Sequence, residues 1–402
     1  MKPEILKELI TTNDSKIIFL IMDGLGGLPM GKHADTELET ASTPILDQFA
    51  TEGICGALDP VSPGITPGSG PGHLALFGYD PLEFLIGRGV LSALGVDFTL
   101  TGRDVAARLN FCTLDKEGKV ADRRAGRIPT ETNQRLCEKI RANVKLSDGI
   151  EYFLETESEH RAVLVLRGDK LGGDINDTDP QKIGLLPREP VGGDENSRRT
   201  VKYVKEFLSQ VRTLLKDEHP ANMLLARGFA RFDPLPTMEE RYGLKSLAIA
   251  QYPMYRGLGR LVGMDIAPKP PTYEAMWQTL KENWEKYDFF FIHFKKTDST
   301  GEDGDYEKKV HVIEEIDRWC GQLRELNPAV LVVTGDHSTP SALKNHSWHP
   351  VPVLLWSQYS RPDIVTRFGE RDCHKGAIGR MATKHLIMLA LANALRLKKF
   401  GA

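Results

Sequence analysis

Three apolar runs in this chain each end in a loop that carries carboxylate or imidazole side chains, and this repeated pattern most constrains the fold. Residues 16–22 are followed by Asp23 and a glycine-rich turn, residues 287–294 by KKTDSTGEDGD, and residues 330–334 by GDHSTP. Short apolar strands that alternate with helical patterns favour a mostly parallel sheet flanked by helices. In such sheets the functional residues gather at the carboxyl ends of the strands. We therefore predict an α/β fold with its site at one sheet edge.

The middle of the chain has a different pattern. It holds further strand-like runs, two long amphipathic helical patterns and many arginines. We predict a discontinuous domain formed by residues 1–95 and 237–402, and an inserted α+β domain formed by residues 96–236. In the discontinuous domain we expect a long glycine- and proline-rich loop over residues 60–72 and a final helix over residues 376–397.

Charge and hydropathy exclude several classes of protein. The chain of 402 residues has 52 Lys and Arg against 55 Asp and Glu, a net charge of -3, which argues against general nucleic-acid binding. No apolar run approaches the roughly 18 residues of a membrane span, and the first fifteen residues lack the apolar stretch of a signal peptide. The five cysteines form no CxxC pair, so neither a disulfide framework nor a zinc ribbon is expected. We predict a soluble, cytoplasmic protein that binds no nucleic acid and no membrane; its oligomeric state is left open.

Polar residues at the strand ends form a possible ligand set for metal ions. They are Asp23, Ser69, Asp298, Glu302, Asp336, His337 and His346. Each one alone also fits a helix cap, a turn or a surface histidine. Together, carboxylates and imidazoles from several strand ends suit two divalent cations, and two cations about 3.5–4 Å apart form the usual clamp for phosphoryl transfer.

Ser69 is the candidate nucleophile of this set. Gly68 and Gly70 flank it, so a phosphoryl group could approach the backbone closely. A bound divalent cation would lower the pKa of its hydroxyl and orient it. The alternative for the GSG segment is a flexible loop without a chemical role. The chain has neither a GxxxxGK[ST] phosphate loop nor a GxSxG elbow.

Several motifs, in this order, are similar to those of the cofactor-independent phosphoglycerate mutases. They are DGLGG at Asp23, GHLALFGYDP after the serine loop, HFKKTD, and GDHSTP followed by HSWHPVP. In the middle of the chain, GRGVLSALG, ARLNFCT, DRRAGRI, HRAVLVLRG, DTDP and LLARG extend the resemblance. The closer match is the shorter, archaeal-type branch, within the alkaline phosphatase superfamily. The resemblance implies an alkaline-phosphatase-like domain that holds two divalent metals, and an inserted domain that clamps the substrate.

The resemblance also implies how the ligands are shared. One metal would be held by Asp23, Ser69, Asp336 and His337, and the other by Asp298, Glu302 and His346. The family usually has histidine where this chain has Glu302, and an acidic residue where it has Gly70. A carboxylate ligand would shift the preference from zinc toward magnesium or manganese. We expect Mn²⁺, with Mg²⁺, Zn²⁺ or Co²⁺ as alternatives, and no 2,3-bisphosphoglycerate.

The implied activity is that of a metal-dependent isomerase of glycolysis and gluconeogenesis. It would interconvert 3-phosphoglycerate and 2-phosphoglycerate through a phosphoserine at Ser69. The candidate substrate-binding residues, each of which could instead be a solvated cation, are Arg124, Arg127, Arg161, Arg227, Lys295 and Lys296. The alternative function is a related phosphotransferase or phosphatase for another small hydroxylated acceptor, such as homoserine. A non-enzymatic binding module is less favoured because it would not need a serine among its ligands.

Overall fold

A large sheet and a smaller one organise the chain, which a computed structural model describes over residues 3–401. In chain order the strands are β1 (Ile17–Met22), β2 (Ile54–Asp59), β3 (Asp104–Leu114), β4 (Val120–Asp122), β5 (Glu151–Ser158), β6 (Arg161–Arg167), β7 (Met223–Arg231), β8 (Ser246–Ala250), β9 (Asp265–Ile266), β10 (Phe289–Phe294), β11 (Val330–Thr334), β12 (Val351–Ser357) and β13 (Gly379–Ala382). The α-helices are α1 (Pro3–Leu9), α2 (Glu37–Thr40), α3 (Pro44–Glu52), α4 (Ser69–Leu76), α5 (Arg88–Gly95), α6 (Thr130–Asn143), α7 (Glu195–Leu215), α8 (Met238–Tyr242), α9 (Pro253–Leu261), α10 (Tyr273–Asn283), α11 (Lys296–Asp303), α12 (Tyr306–Cys320), α13 (Glu370–Cys373) and α14 (Leu386–Asn393).

The chain divides into two units, each with its own sheet and core. One unit runs to Leu85 and resumes at Pro236, and the other spans Ile86–Leu235. The predicted first boundary, after residue 95, therefore falls inside the second unit. The reason is α5, which lies against β3 of that unit. Gly89 of α5 permits this approach, since a Cβ there would lie 2.2 Å from the carbonyl oxygen of Ala106.

The discontinuous unit is built on the larger sheet, in the strand order β13-β2-β12-β11-β1-β10-β8-β9. All neighbouring strands are parallel except at β12, which is antiparallel to both β11 and β2. This confirms the predicted mostly parallel α/β sheet. Strand β1 is buried along its whole length because it lies between two parallel strands in a sheet covered on both faces.

The register of the three central strands positions the site. Ile21 of β1 pairs with His293 of β10 on one side and with Thr334 of β11 on the other. The three strands therefore end at the same level, and the loops that follow them lie side by side.

The last part of the chain departs from the prediction. The expected helix over residues 376–397 is wrong in its first half, where β13 pairs in parallel with β2, and α14 begins only at Leu386. The glycine at position 379 has φ +65°, which an α-helix does not accommodate. The expected loop over residues 60–72 also ends early, because Ser69 is already the first residue of α4.

The inserted unit is an antiparallel sheet covered by helices. Its order is β4-β3-β6-β5, with β7 also paired to β3. Apolar residues of α6 and α7, such as Leu136 and Phe207, pack into one core with the strands. This unit has the α+β character that was predicted. Within residues 3–401, no helix combines the length and the apolar character that crossing a membrane requires.

Candidate active site

Three buried aspartates meet at the carboxyl ends of the central strands. Asp23 directly follows β1, Asp336 follows β11 after one glycine, and Asp298 lies in the first turn of α11, just beyond β10. None of the three is exposed to solvent. Because their strands are neighbours in register, the fold forces three carboxylates into one small volume.

His337 joins this cluster to a second histidine. Its Nε2 lies 3.3 Å from Oδ1 of Asp23 and 3.2 Å from Oδ2 of Asp336. The ring of His346 stacks on it at a centroid distance of 3.7 Å, with Nε2 3.7 Å from Oδ1 of Asp298. The structure thus forms two groups that could each hold a cation, one of Asp23, Asp336 and His337, the other of Asp298, His337 and His346.

Ser69 lies beside the first of these groups. Its Oγ is 3.2 Å from Nε2 of His337. As the first residue of α4 it sits at a helix N-terminus, where the backbone dipole favours an anion. One turn later, His73 donates Nδ1–H to the Ser69 carbonyl at 2.8 Å and lies 3.1 Å from Oδ2 of Asp336. The serine is therefore held in place by a histidine that also contacts the carboxylate cluster.

Hydrogen bonds orient both histidines toward the carboxylates. Thr339 Oγ1 donates to Asp298 Oδ1 at 2.7 Å, so it accepts a hydrogen bond from His337 Nδ1 at 2.9 Å. His346 Nδ1 donates to the carbonyl of Pro67 at 2.9 Å. With Nδ1 protonated in each neutral ring, Nε2 carries a lone pair that faces carboxylate oxygens. This is the tautomer that a metal-binding histidine needs.

The donor set fits divalent cations. Both carboxylate oxygens of Asp23 and Oδ2 of Asp336 are buried and accept no well-aligned hydrogen bond within the described residues. Burying several carboxylates together is costly, the one nearby ammonium of Lys295 offsets only part of their charge, and imidazole lone pairs that face carboxylate oxygens repel them. A cation between the oxygen and imidazole donors would remove both costs. The mixture of hard oxygen and borderline nitrogen ligands suits Mn²⁺, Mg²⁺, Zn²⁺ or Co²⁺.

Lys295 places a positive charge at the same cluster. Its ammonium lies 3.1 Å from Oδ2 of Asp23, contacts the carboxylate of Asp298 and donates to the Tyr255 hydroxyl at 3.1 Å. Burial alone would lower the pKa of Lys295, but the two aspartates raise it above the ordinary value. Burial alone would raise the pKa of Asp23; its contacts with His293 and Lys295 hold it well below the usual range. The aspartate and the lysine are therefore both charged at neutral pH.

Two predicted residues lie outside the ligand groups. Glu302 follows Asp298 by one turn of α11, but 52% of its side chain is exposed and its Oε1 is 4.0 Å from Nε2 of His346. Lys296 is exposed, and its ammonium lies 5.0 Å from the ring centre of Tyr273. Of the two lysines predicted near the phosphate, Lys295 is the one that contacts the aspartates, because consecutive helical residues point about 100° apart.

The inserted unit contains a cavity of about 340 Å³ lined by arginines. The lining residues are Arg88, Arg108, Asn110, Arg123, Arg124, Arg127, His160, Arg161 and Arg227. All four predicted arginines are among them. Strand register explains the grouping, because Arg108 pairs with Arg227 on β7 and Asn110 pairs with Arg161 on β6. Like charges side by side on a sheet repel, so the arrangement favours an anionic occupant.

Acidic residues offset only part of this charge. Asp179 pairs with Arg123 at 2.7 Å and with Arg227 at 3.5 Å, and Glu157 lies 3.5 Å from Arg108. Arg88, Arg124 and Arg127 form no ion pair in the described part of the chain. The cavity therefore keeps cationic groups available for a carboxylate or phosphate.

A strained turn presents two of these arginines. The carboxylate of Asp122 accepts hydrogen bonds from the backbone N–H groups of Arg124 at 2.8 Å and Gly126 at 2.7 Å. Ala125 and Arg127 have φ values of 46° and 53°, a conformation that costs energy outside glycine. Such strain at a ligand cavity is typical of a binding segment.

Comparison with known proteins identifies the family. A family model described as 2,3-bisphosphoglycerate-independent phosphoglycerate mutase matches residues 50–222. A probable 2,3-bisphosphoglycerate-independent phosphoglycerate mutase from Aquifex aeolicus is 49% identical over 99% of this chain and 100% of its own length. A protein with the same description from Thermus thermophilus is 49% identical over 99% of both chains. The chain belongs to the 2,3-bisphosphoglycerate-independent phosphoglycerate mutase family.

Solved structures agree with this assignment. A protein from Pyrococcus horikoshii has a TM-score of 0.82 at 30% identity, covering 97% of this chain and 100% of that one. The cofactor-independent phosphoglycerate mutase of Thermoplasma acidophilum has a TM-score of 0.77 at 29% identity, covering 94% of this chain and 100% of that one. The mutase fold therefore extends over nearly the whole chain, and the family resemblance in the sequence motifs is confirmed.

Several residues of the carboxylate cluster and of the arginine cavity were not predicted individually. In the discontinuous unit they are His73, His293, Tyr255, Thr339 and Lys309; in the arginine cavity they are Arg88, Arg108, Asn110, Arg123 and His160. His73 and His293 belong to the motifs GHLALFGYDP and HFKKTD, which were a signal for them. No comparable signal marks Tyr255, which stacks on His293 at a centroid distance of 3.7 Å.

Proposed function

We propose that this chain interconverts 3-phosphoglycerate and 2-phosphoglycerate through a phosphoserine at Ser69. The observation that carries the proposal is the position of Ser69 Oγ, 3.2 Å from Nε2 of His337 and beside buried carboxylate oxygens of Asp23 and Asp336 that accept no well-aligned hydrogen bond from the described residues. The names of relatives that are 49% identical over the whole chain support the same reaction.

Two divalent cations belong to the proposal. Asp23, Ser69, Asp336 and His337 would hold one, and Asp298, His346 and the side chain of Glu302, after a rotamer change, would hold the other. When bound, these cations would neutralise phosphoryl charge and favour the serine alkoxide. We propose Mn²⁺ as the ion that suits this set of oxygen and imidazole ligands.

The covalent steps use the chain's own serine. Ser69 Oγ forms a bond to phosphorus as the bond to the 3-oxygen breaks, which gives phosphoserine and glycerate. In this step Oγ gives up its proton and the 3-oxygen takes one up. The 2-hydroxyl of glycerate, which loses its proton, then attacks the same phosphorus as the Oγ–P bond breaks, and Oγ takes up a proton, which restores the serine hydroxyl. Lys295, whose ammonium already contacts two aspartates, supplies a fixed positive charge beside the transferred group.

We assign the arginine cavity to the substrate's anionic groups. Guanidinium groups bind carboxylate and phosphate oxygens through two parallel hydrogen bonds. Burial, aided by Arg161, lowers the pKa of His160 to about 4, so its imidazole is neutral at pH 7. A neutral imidazole can accept a hydrogen bond from a substrate hydroxyl, which arginine cannot.

The test is an assay with 3-phosphoglycerate and Mn²⁺ that measures 2-phosphoglycerate and free phosphate together. Rapid quenching with labelled substrate should trap phosphate on the peptide that contains Ser69. Ser69→Ala should lose activity by several orders of magnitude, because the covalent route is removed. Thr66→Ala removes an exposed hydroxyl from the same loop and should leave activity unchanged.

Three results would contradict the proposal. Free phosphate as the main product would favour the phosphatase alternative. Label on another residue would remove the assignment of Ser69. A Ser69→Ala variant within about tenfold of wild type would exclude the phosphoserine route.

A further inference from the structure

Lys309 is a fully buried lysine on α12. Lysine is almost never fully buried without partners, because desolvating its charge is costly. Here Nζ donates to three main-chain carbonyls, those of Gly24 at 2.9 Å, Gly26 at 3.2 Å and Thr339 at 2.9 Å. Three acceptors match the three N–H groups of an ammonium, so every hydrogen is used.

These carbonyls belong to the two loops that carry the ligand groups. Gly24 follows Asp23, and Thr339 lies two residues beyond His337. The loops already touch, since the backbone N–H of Thr339 donates to the carbonyls of Gly24 at 3.2 Å and Gly26 at 3.1 Å. The ammonium binds the same two carbonyls from another direction and adds the carbonyl of Thr339, so it fixes how the loops lie against each other.

A third element joins at the same point. Asp298 lies on α11, and α12 begins only three residues after α11 ends, at Tyr306. Thr339, whose carbonyl binds the ammonium, donates its hydroxyl to Asp298 at 2.7 Å. The loop after β1 packs tightly against Thr339: at Gly24, with φ +62°, a Cβ would lie 2.5 Å from Oγ1 of Thr339. One buried ammonium therefore links the segments that carry Asp23, His337 and Asp298.

We infer that Lys309 is a positioning residue that sets the spacing of the metal-ligand atoms on the loops after β1 and β11. Among the described residues its ammonium forms no hydrogen bond or ion pair with a ligand carboxylate or imidazole, and it acts through the main chain next to them. This inference rests on the proposed two-metal function of the site. It implies that loss of the ammonium weakens metal binding even where the fold survives, because the ammonium then no longer fixes the spacing between the ligand atoms on the two loops.

The test compares Lys309→Met with Lys308→Met, which removes the exposed lysine next to it on the same helix. Titration of Mn²⁺ into metal-free protein at 25 °C should give a dissociation constant at least tenfold higher for Lys309→Met and an unchanged one for Lys308→Met. At saturating Mn²⁺, kcat should fall at least tenfold and KM should stay within about threefold of wild type, since the arginine cavity is untouched. Far-UV circular dichroism establishes that each variant is folded at the titration temperature.

Lys309→Gln, which keeps two N–H donors, covers the case in which the Met variant does not fold, and it should bind Mn²⁺ with intermediate affinity. A folded Lys309→Met variant with wild-type Mn²⁺ affinity would overturn the inference. If neither variant folds at 25 °C, the lysine serves the fold as a whole and the positioning assignment is withdrawn. Wild-type protein that binds no Mn²⁺ would instead contradict the proposed function itself.

Discussion

Metal binding should raise the thermal stability of the discontinuous unit by a calculable amount. Three buried aspartates and two oriented histidines converge there, and this arrangement does not exist in the unfolded chain. A ligand that binds only the native state stabilises it by about 2.7 kcal/mol at one hundred times its dissociation constant. Two independent sites at that saturation would add about 5.4 kcal/mol.

The Tm shift that corresponds to this free energy depends on the size of the unit. The unit has about 250 residues, and for a domain of that size about 1 kcal/mol shifts Tm by roughly 2–4 °C. Chelator-treated protein should therefore gain about 11–22 °C in Tm when Mn²⁺ saturates both sites. Scanning calorimetry in chelator and in excess Mn²⁺ measures this shift without reference to activity.

The substitution His346→Ala separates the contributions of the two metal sites to the Tm shift. His346 takes part in only one of the two ligand groups, and 19% of its side chain is exposed. His346→Ala should therefore leave the metal-free Tm nearly unchanged and reduce the metal-induced shift by about half. His349 lies in the same loop, and its Nδ1 bonds to Ser347 Oγ at 3.0 Å, so His349→Ala is the matched control with a full shift. An undiminished shift in His346→Ala, or no shift in wild type, would refute the reasoning.

Three further outcomes follow from the structure. Glu302→Ala should weaken one Mn²⁺ site in a calorimetric titration, and Glu302→His should shift the preference toward zinc; two unchanged sites in the Ala variant would exclude Glu302 as a ligand. Arg161→Gln should raise KM for phosphoglycerate by about 10- to 150-fold, since a hydrogen bond to a charged group contributes about 1.5–3 kcal/mol. The control variant Arg103→Gln removes an exposed arginine of the same unit and should not change KM. Arg135 and Lys139 lower the pKa of Glu218 from 4.5 to about 2, so its contribution to stability is complete above pH 4.5 and is lost as the pH falls toward 2. Urea midpoints measured between pH 6 and pH 2 should therefore fall more steeply for wild type than for Glu218→Gln, and parallel curves would contradict this assignment.

The central strands and their aspartates could be predicted because the signal is local. Six apolar residues directly before Asp23, and four apolar residues before Thr334, Gly335 and Asp336, are contiguous in sequence. Parallel strands must end at a common edge, so a polar residue directly after such a run is placed by the strand itself. β13 gave no such signal, because it is only four residues long, contains Arg380 and lies just three residues before the apolar sequence of α14.

The cationic groups were harder to predict because their neighbours come from distant sequence. Arg108 and Arg227 lie more than a hundred residues apart, and only the register of β3 against β7 brings them together. Composition showed many arginines in the inserted unit, but it could not show which of them share a face of the sheet. The choice between Lys295 and Lys296 similarly depends on where α11 begins, and a shift of one residue would exchange their directions.

The orientation of the imidazole rings also depends on residues that are distant in sequence. A motif such as GDHSTP places His337 after a strand, but the ring is useful to a cation only if Nδ1 carries the proton. That proton is held by Thr339, whose own hydroxyl hydrogen is committed to Asp298 on another element. Thr339 is held in turn by the ammonium of Lys309, which binds its carbonyl. The ligand atom is therefore set by a chain of contacts that crosses three elements, and Thr339→Val should disturb His337 although the motif's histidine and aspartate remain.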